Sequence, residues 1–366
     1  MAKKYTFEPD YAHAIPPGDT LKETLDAKGL SQSDLSTRTG LAEKTISQIV
    51  RGVAPITLDT AEKLELALGI PARFWNAREL TYREGLARAE AVERLSADIA
   101  WLKEIPVKEL MKRRYITPSD SKPELVRQVL RFFGVSNVEA WRATWATPYV
   151  LFRGKKVQER HPGKVAAWLR MCELRAENVD CQPYGKQKFS DALREIRRYV
   201  DKDADEWYPA MIRLCADAGV AVVFVKQIPG GSISGATKWL SKDKALIMLS
   251  LKHKTDDHVW FTFFHEAFHV LKHGRKLVFI DDDQTADDEL EEEANRLARN
   301  ILIPYERARE LHALRGRIDI KAFARSVGVS SGIVVGRLQK DKLLSHKLHY
   351  NLKVKLKWPE EDNPER

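Results

Sequence analysis

The stretch Val259-Trp260-Phe261-Thr262-Phe263-Phe264-His265-Glu266-Ala267-Phe268-His269-Val270-Leu271-Lys272-His273-Gly274 decides the reading of the C-terminal half. Val259, Trp260, Phe263, Phe264, Phe268, Val270 and Leu271 give it the pattern of a helix, and Gly274 can end that helix. In a helix, His265 and His269 stand one turn apart on nearly the same face. Both imidazoles can then converge on one Zn²⁺ at ~2.0–2.1 Å. Glu266 lies about a third of a turn round. It can reach a metal-bound water as general base and afterwards return the proton as acid. Zinc lowers the pKa of such a water toward ~7, which makes hydroxide available at neutral pH.

A third protein ligand is needed. His273 follows His269 by four residues but lies two turns beyond His265, so one ion cannot easily meet all three. The run Glu289-Leu290-Glu291-Glu292-Glu293-Ala294-Asn295-Arg296-Leu297-Ala298 offers a carboxylate. Its apolar face reads as Leu290, Ala294, Leu297 and Ile301. Glu293, between Leu290 and Leu297, is expected to point inward. Glu289 competes from one turn earlier, and Glu291 and Glu292 are expected in solvent. A carboxylate forced into a core is costly unless paired or metal-bound. The expected centre is therefore His265, His269 and Glu293, with an open fourth position and Glu266 as the catalytic residue.

Outward from this centre, Val220–Val225 and Ala245–Ser250 are short β-branched or apolar runs bounded by turn residues, which suits strands. Helical patterns occupy 256–273 and 286–301. Residues 322–338 imitate a helix-turn-helix, with Gly328 to Val334 repeating the spacing of Gly40 to Ile46; a packing helix pair and a second DNA contact both fit. Together with Trp260-Phe261-Thr262, Glu293-Ala294-Asn295, Ile301-Leu302-Ile303-Pro304 and Gly328-Val329-Ser330, these motifs resemble the ImmA/IrrE-type metallopeptidases over about residues 205–345. That resemblance implies a zincin-like α+β domain. It gives the metal to the two histidines and the Glu of the Glu-Ala-Asn motif, and catalysis to the HExxH glutamate. It also implies a substrate that is a repressor. Phe268 is bulkier than the glycine usual in that family and bears on substrate access rather than on the ligands.

At the other end, Ser31 can N-cap a helix with Asp34 as capping-box partner. Gly40 marks a tight turn, and a second helix follows from about Ala42 to Val50, with Gly52 as its stop. Ala42, Ile46, Ile49 and Val50 form the apolar stripe of that helix. Lys44, Ser47, Gln48 and Arg51, with Glu43 and Thr45 beside them, form a stripe suited to a major groove, and Gln32 is placed to touch the DNA backbone or an end base. Gly29-Leu30-Ser31-Gln32, Thr39-Gly40-Leu41 and Lys44-Thr45-Ile46-Ser47 are similar to the Xre/Cro-type helix-turn-helix, most closely its HigA-like antitoxin subgroup, over residues 13–80. The resemblance implies a homodimer on a double-stranded operator and a toxin or repressor protein as partner.

Bulk properties agree. A chain of 366 residues predicts two or three domains. The net charge of +9 favours a polyanion partner. The N-terminal residues lack the apolar core of a secretion signal, and no stretch reaches the ~18 apolar residues of a membrane helix. Cys172, Cys181 and Cys215 show no paired metal spacing, so a reduced, cytoplasmic setting is expected. The predicted fold is mainly α with a small β-sheet. It comprises a helix-turn-helix domain (1–80), a helical linker or dimerisation region (81–204), an α+β peptidase-type domain (205–345) and a basic tail (346–366). The expected function is a DNA-binding regulator carrying a zinc peptidase; the alternative is an antitoxin-like autorepressor whose metal site does no catalysis.

Overall fold

The computed structural model describes residues 15–146, 162–231, 233–272, 279–281 (backbone) and 289–358. It separates into two compact units. The first reaches to Ile99 and includes Asp120–Val126; the second holds Ala100–Ser119 and everything from Arg127.

The first unit is all helix: α1 (Pro17–Lys28), α2 (Gln32–Thr39), α3 (Glu43–Val50), α4 (Leu58–Leu68) and the long α5 (Ala72–Ala97). Its punctuation is chemical. Ser31 caps α2 in a reciprocal capping box with Asp34. Gly40 ends α2 at φ 70°, a left-handed conformation that glycine adopts without a Cβ clash. Thr57 caps α4 by accepting from the Thr60 amide. Leu21, Leu25, Leu35, Ile46, Ile49, Leu64 and Trp75 close the core.

The second unit is built on a sheet ordered β1-β3-β2-β4, from β1 (Val220–Phe224), β2 (Gly235–Ser241), β3 (Lys244–Leu249) and β4 (Phe279–Asp281). β1 and β3 run parallel; β2 runs antiparallel to β3 and β4. β1 is buried along its whole length, hence its unbroken apolar sequence. Before the sheet come α6 (Val107–Lys112), α7 (Lys122–Phe133), α8 (Val138–Trp141), α9 (Pro162–Glu177), α10 (Lys186–Ile196) and α11 (Ala204–Asp217). After it come α12 (Asp256–Lys272), α13 (Glu289–Leu302), α14 (Arg317–Val327) and α15 (Ser331–Lys340).

Of the region expected to be a linker, residues 81–99 and 120–126 belong to the first unit and the rest to the second. α9 packs on β1 and β3, and α12 packs on β2 and β3. β2 shows that these helices cover opposite faces, because Thr237 bonds to α12 while the next residue, Lys238, bonds to Glu173 of α9. The carbonyls at the end of β1 are satisfied from the same region. Arg175 donates to Phe224 O at 3.0 Å, Trp168 to Val225 O at 2.9 Å, and Arg113 to Lys226 O and Gln227 O at 2.5 and 3.0 Å.

Arg197 fixes two helix ends at once. Its guanidinium donates to Ile301 O (2.6 Å) and Leu302 O (2.9 Å) at the end of α13. It also donates to Val327 O (2.8 Å) and Gly328 O (2.5 Å) at the end of α14. These are carbonyls that a helix C-terminus leaves without partners.

Candidate metal centre and nucleic-acid interface

The helix α12 is apolar on nearly every side and buried through most of its length, so its two imidazoles are carried into the interior. His265 and His269 are 2% and 1% exposed. Their Nε2 atoms stand 3.0 Å apart. The third member is Glu291: Oε2 lies 3.2 Å from His265 Nε2 and Oε1 lies 3.3 Å from His269 Nε2.

This corrects the choice of Glu293, which is half-buried and does not join the cluster. The error lies in the phase of α13. Its buried line is Glu291, Ala294, Ala298 and Leu302, while Leu290, Leu297 and Ile301 are half-buried flanks. The two alanines let α13 approach α12 closely, and Glu291 continues their line. Glu293 sits about 200° away from it round the helix. Glu289 is exposed, and Glu292 pairs outward with Arg299 at 2.5 Å. His273 lies outside the described residues.

The three side chains suit a zinc ion. Donors on one tetrahedral Zn²⁺ at ~2.0–2.1 Å stand about 3.3 Å from each other; the observed separations run from 3.0 to 3.3 Å. The set of two neutral nitrogens and one carboxylate is a set zinc takes. Burial alone would raise the Glu291 carboxyl, but hydrogen bonding to His265 and His269 outweighs it and holds the group at about 2.

Glu266 completes the site. It is fully buried. Thr237 Oγ1 donates to its Oε2 at 2.5 Å and lies 3.3 Å from its main-chain oxygen. Gly235 sits against the same side chain: a Cβ there would stand 2.5 Å from Thr262 Cγ2 and 3.0 Å from Glu266 Cγ and Oε1. Strand β2 therefore positions Glu266. Sequence reading passes over β2, because Gly-Ala-Thr-Lys-Trp lacks the apolar density of β1. The ring of Phe261 lies 6.1 Å from that of His265, and Phe268 is half-buried on the same helix.

The residues 322–338 are the packing pair. Gly332, Ile333, Val334, Val335, Leu338 and Gln339 of α15 are all buried, so this helix has no face for a groove.

In the first unit, Ile46 and Ile49 turn inward. Gln32, Glu43, Lys44 and Arg51 are exposed, and Thr45, Ser47 and Gln48 are half-buried. Arg51 Nε donates to Ser47 O at 3.2 Å, which ties the base of that side chain to the helix. Glu43 accepts from Ser33 Oγ at 2.5 Å and so links α3 to α2.

Among the described residues no helix is long and apolar enough to cross a membrane. No curated protein matches the chain. The helix-turn-helix family profile matches residues 21–75 and the IrrE N-terminal-like domain profile matches residues 215–339, so the chain joins a helix-turn-helix of the DNA-binding kind to a peptidase-like domain.

Proposed function

We propose that the chain is a DNA-binding regulator whose second unit is a zinc-dependent peptidase acting on a partner regulator or on the chain itself. The observation that carries this is Glu266: a buried carboxylate, positioned by Thr237 and Gly235, next to a His₂Glu set that leaves a coordination position open. His265, His269 and Glu291 would hold the ion, which when bound supplies an acidified water and polarises a carbonyl. Glu266 takes the proton of the attacking water and delivers it to the leaving amine. Thr237 fixes the carboxylate rotamer, so the proton is accepted at a defined oxygen.

On the DNA side, Lys44, Thr45, Ser47, Gln48 and Arg51 would read or line the major groove, with Gln32 at the phosphate backbone. A homodimer would place two such helices on a palindromic operator. Glu43, tied to Ser33, positions α3 rather than meeting a phosphate. The antitoxin-like alternative draws support from Phe268, a bulky, half-buried residue inside the HExxH motif where a small residue would open the cleft.

Metal analysis and N-terminal peptide profiling test the proposal. We expect about one zinc per chain in the wild type, Glu293→Gln and Glu266→Gln, and its loss in Glu291→Gln. Cells carrying wild type should show new protein N-termini that Glu266→Gln cells lack. Identical N-termini with zinc retained would leave the non-catalytic reading; zinc retained in Glu291→Gln would remove the assigned ligand.

A further inference from the structure

The second unit contains a cavity of about 730 Å³ that takes no part in the chemistry above. It lies between the start of α11, the start of α12 and the C-terminal segment Val354–Trp358. Its volume falls within the ~300–1,000 Å³ of small-molecule pockets. Trp207, Phe224 and Trp260 form an almost fully buried aromatic floor, and Tyr208 and Trp358 form partly exposed walls. Trp207 and Trp260 meet at 5.2 Å between ring centroids.

Asp256 supplies the acidic group of that floor. It is 4% exposed. Its Oδ2 accepts from Ser330 Oγ and its Oδ1 from the Val354 amide at 2.9 Å. The Asp257 main-chain amide also bonds to this carboxylate. A carboxylate can accept about four hydrogen bonds, so these three leave capacity for one further donor. The rim carries both signs, Asp203 and Asp205 near the start of α11 facing Lys355 and Lys357 on the C-terminal segment. The rim is thus close to neutral, and selection by charge falls to the floor. There a second anion is repelled, a neutral arene brings no charge to Asp256, and a cation gains from the carboxylate and the ring faces together.

We propose that this cavity is a binding site for a small arylalkylamine, its ring against Trp207, Trp260 and Trp358 and its ammonium group on Asp256. Trp260 and Asp256 belong to the helix that carries His265 and His269, yet the Trp260 ring leaves that helix on the side away from the histidines. The site is therefore separate from the metal centre, and its ligand is not a peptidase substrate.

Calorimetric titration of the full-length protein with tryptamine, indole and indole-3-acetate tests the assignment, since the three probes share a ring system and differ in charge. Tryptamine should saturate one site per chain and bind at least about tenfold more tightly than indole-3-acetate, with indole between them. Asp256→Asn should abolish the charge preference, and Trp358→Ala should weaken all three ligands. The absence of saturable tryptamine binding up to about 10 mM overturns the site, as does an equal or tighter hold on indole-3-acetate. Should Asp256→Asn unfold, the charge series on the unaltered protein is still sufficient to uphold or overturn the site.

Discussion

Truncating Arg197 to alanine would remove one side chain and leave four carbonyls, two at the end of α13 and two at the end of α14, without their donors. A hydrogen bond to a charged group is worth ~1.5–3 kcal/mol net, so four would total ~6–12 kcal/mol if they were independent. They are not independent. The guanidinium is half-buried, and burial holds its pKa below the usual arginine range. Its own desolvation is recovered on unfolding, and water can reach some of the freed carbonyls. We therefore expect a loss of ~3–5 kcal/mol, the size seen when one partner of a buried charged contact is removed. For a unit of this size each kcal/mol lowers the melting temperature by about 2–4 °C, so a loss of ~4 kcal/mol corresponds to a drop of roughly 8–16 °C. Scanning calorimetry would measure it. Arg197→Lys should recover less than half of the loss, because an ammonium cannot serve four carbonyls in a planar fork. Arg198→Ala, whose exposed side chain pairs with Glu195 at 2.8 Å, is the control and should change little. An Arg197→Ala protein melting within about 2 °C of wild type would refute the reasoning, and so would an Arg197→Lys protein as stable as wild type, since charge alone would then suffice.

Other outcomes follow from the same geometry. Burial, reinforced by the neighbouring Asp257, lifts the Asp256 carboxyl from 3.8 to about 6, with hydrogen bonds from Ser330 and the main chain opposing the rise. An acid with a raised folded pKa stabilises the fold below its unfolded value and loses that contribution as pH climbs through the folded one. Asp256→Asn should therefore be more stable than wild type by up to ~3 kcal/mol above pH ~7 and indistinguishable from it near pH ~4 in urea titrations; a difference independent of pH would count against this. Gly235→Ala should cost ~1–3 kcal/mol by overpacking Thr262, and Thr262→Ser in the same chain should restore most of it. If the Ser change restores nothing, the clash lies elsewhere. Replacing Lys44 and Arg51 by alanine should flatten the dependence of operator affinity on salt by about one unit for each phosphate deprived of its cation, in a filter-binding series; an unchanged slope excludes both from the phosphates. A fragment of residues 205–345 should lack a cooperative melt where the full chain has one, and a sharp transition would show that the N-terminal helices of the second unit are dispensable.

Legibility in the sequence follows how local each signal is. Ser31, Asp34, Gly40 and Gly52 announce the helix-turn-helix because caps and left-handed turns are set by residues close in the chain. His265 and His269 are fixed in relation to each other by helix geometry alone. Glu291 escapes a reading of the sequence because its direction depends on which face α13 turns to another helix. Leu290 and Leu297 suggest one phase, whereas two alanines, less conspicuous as apolar residues but small enough for close approach, set the other. Thr237 and Gly235 act across the gap from a strand to a helix, and no spacing announces that. The role of 100–200 is hidden for the same reason. Trp168, Arg175 and Arg197 meet carbonyls 49 to 131 residues away, and a main-chain partner leaves no mark on the sequence.

Gly332 and Gly336 in α15 lie against Asp256 and Asp257 of α12, so near that a Cβ at either position would strike a carboxylate. Lys353, from the C-terminal segment, donates to Asp257 at 2.6 Å and is itself almost wholly enclosed. The spacing that makes 322–338 look like a DNA reader is thus spent on closeness. The two glycines are held by close packing in a helix that is itself largely buried. A groove-reading surface there would first have to uncover two acids and a lysine. Random libraries selected only for folding should therefore keep glycine at 332 and 336 while the outward positions of the same helix diversify.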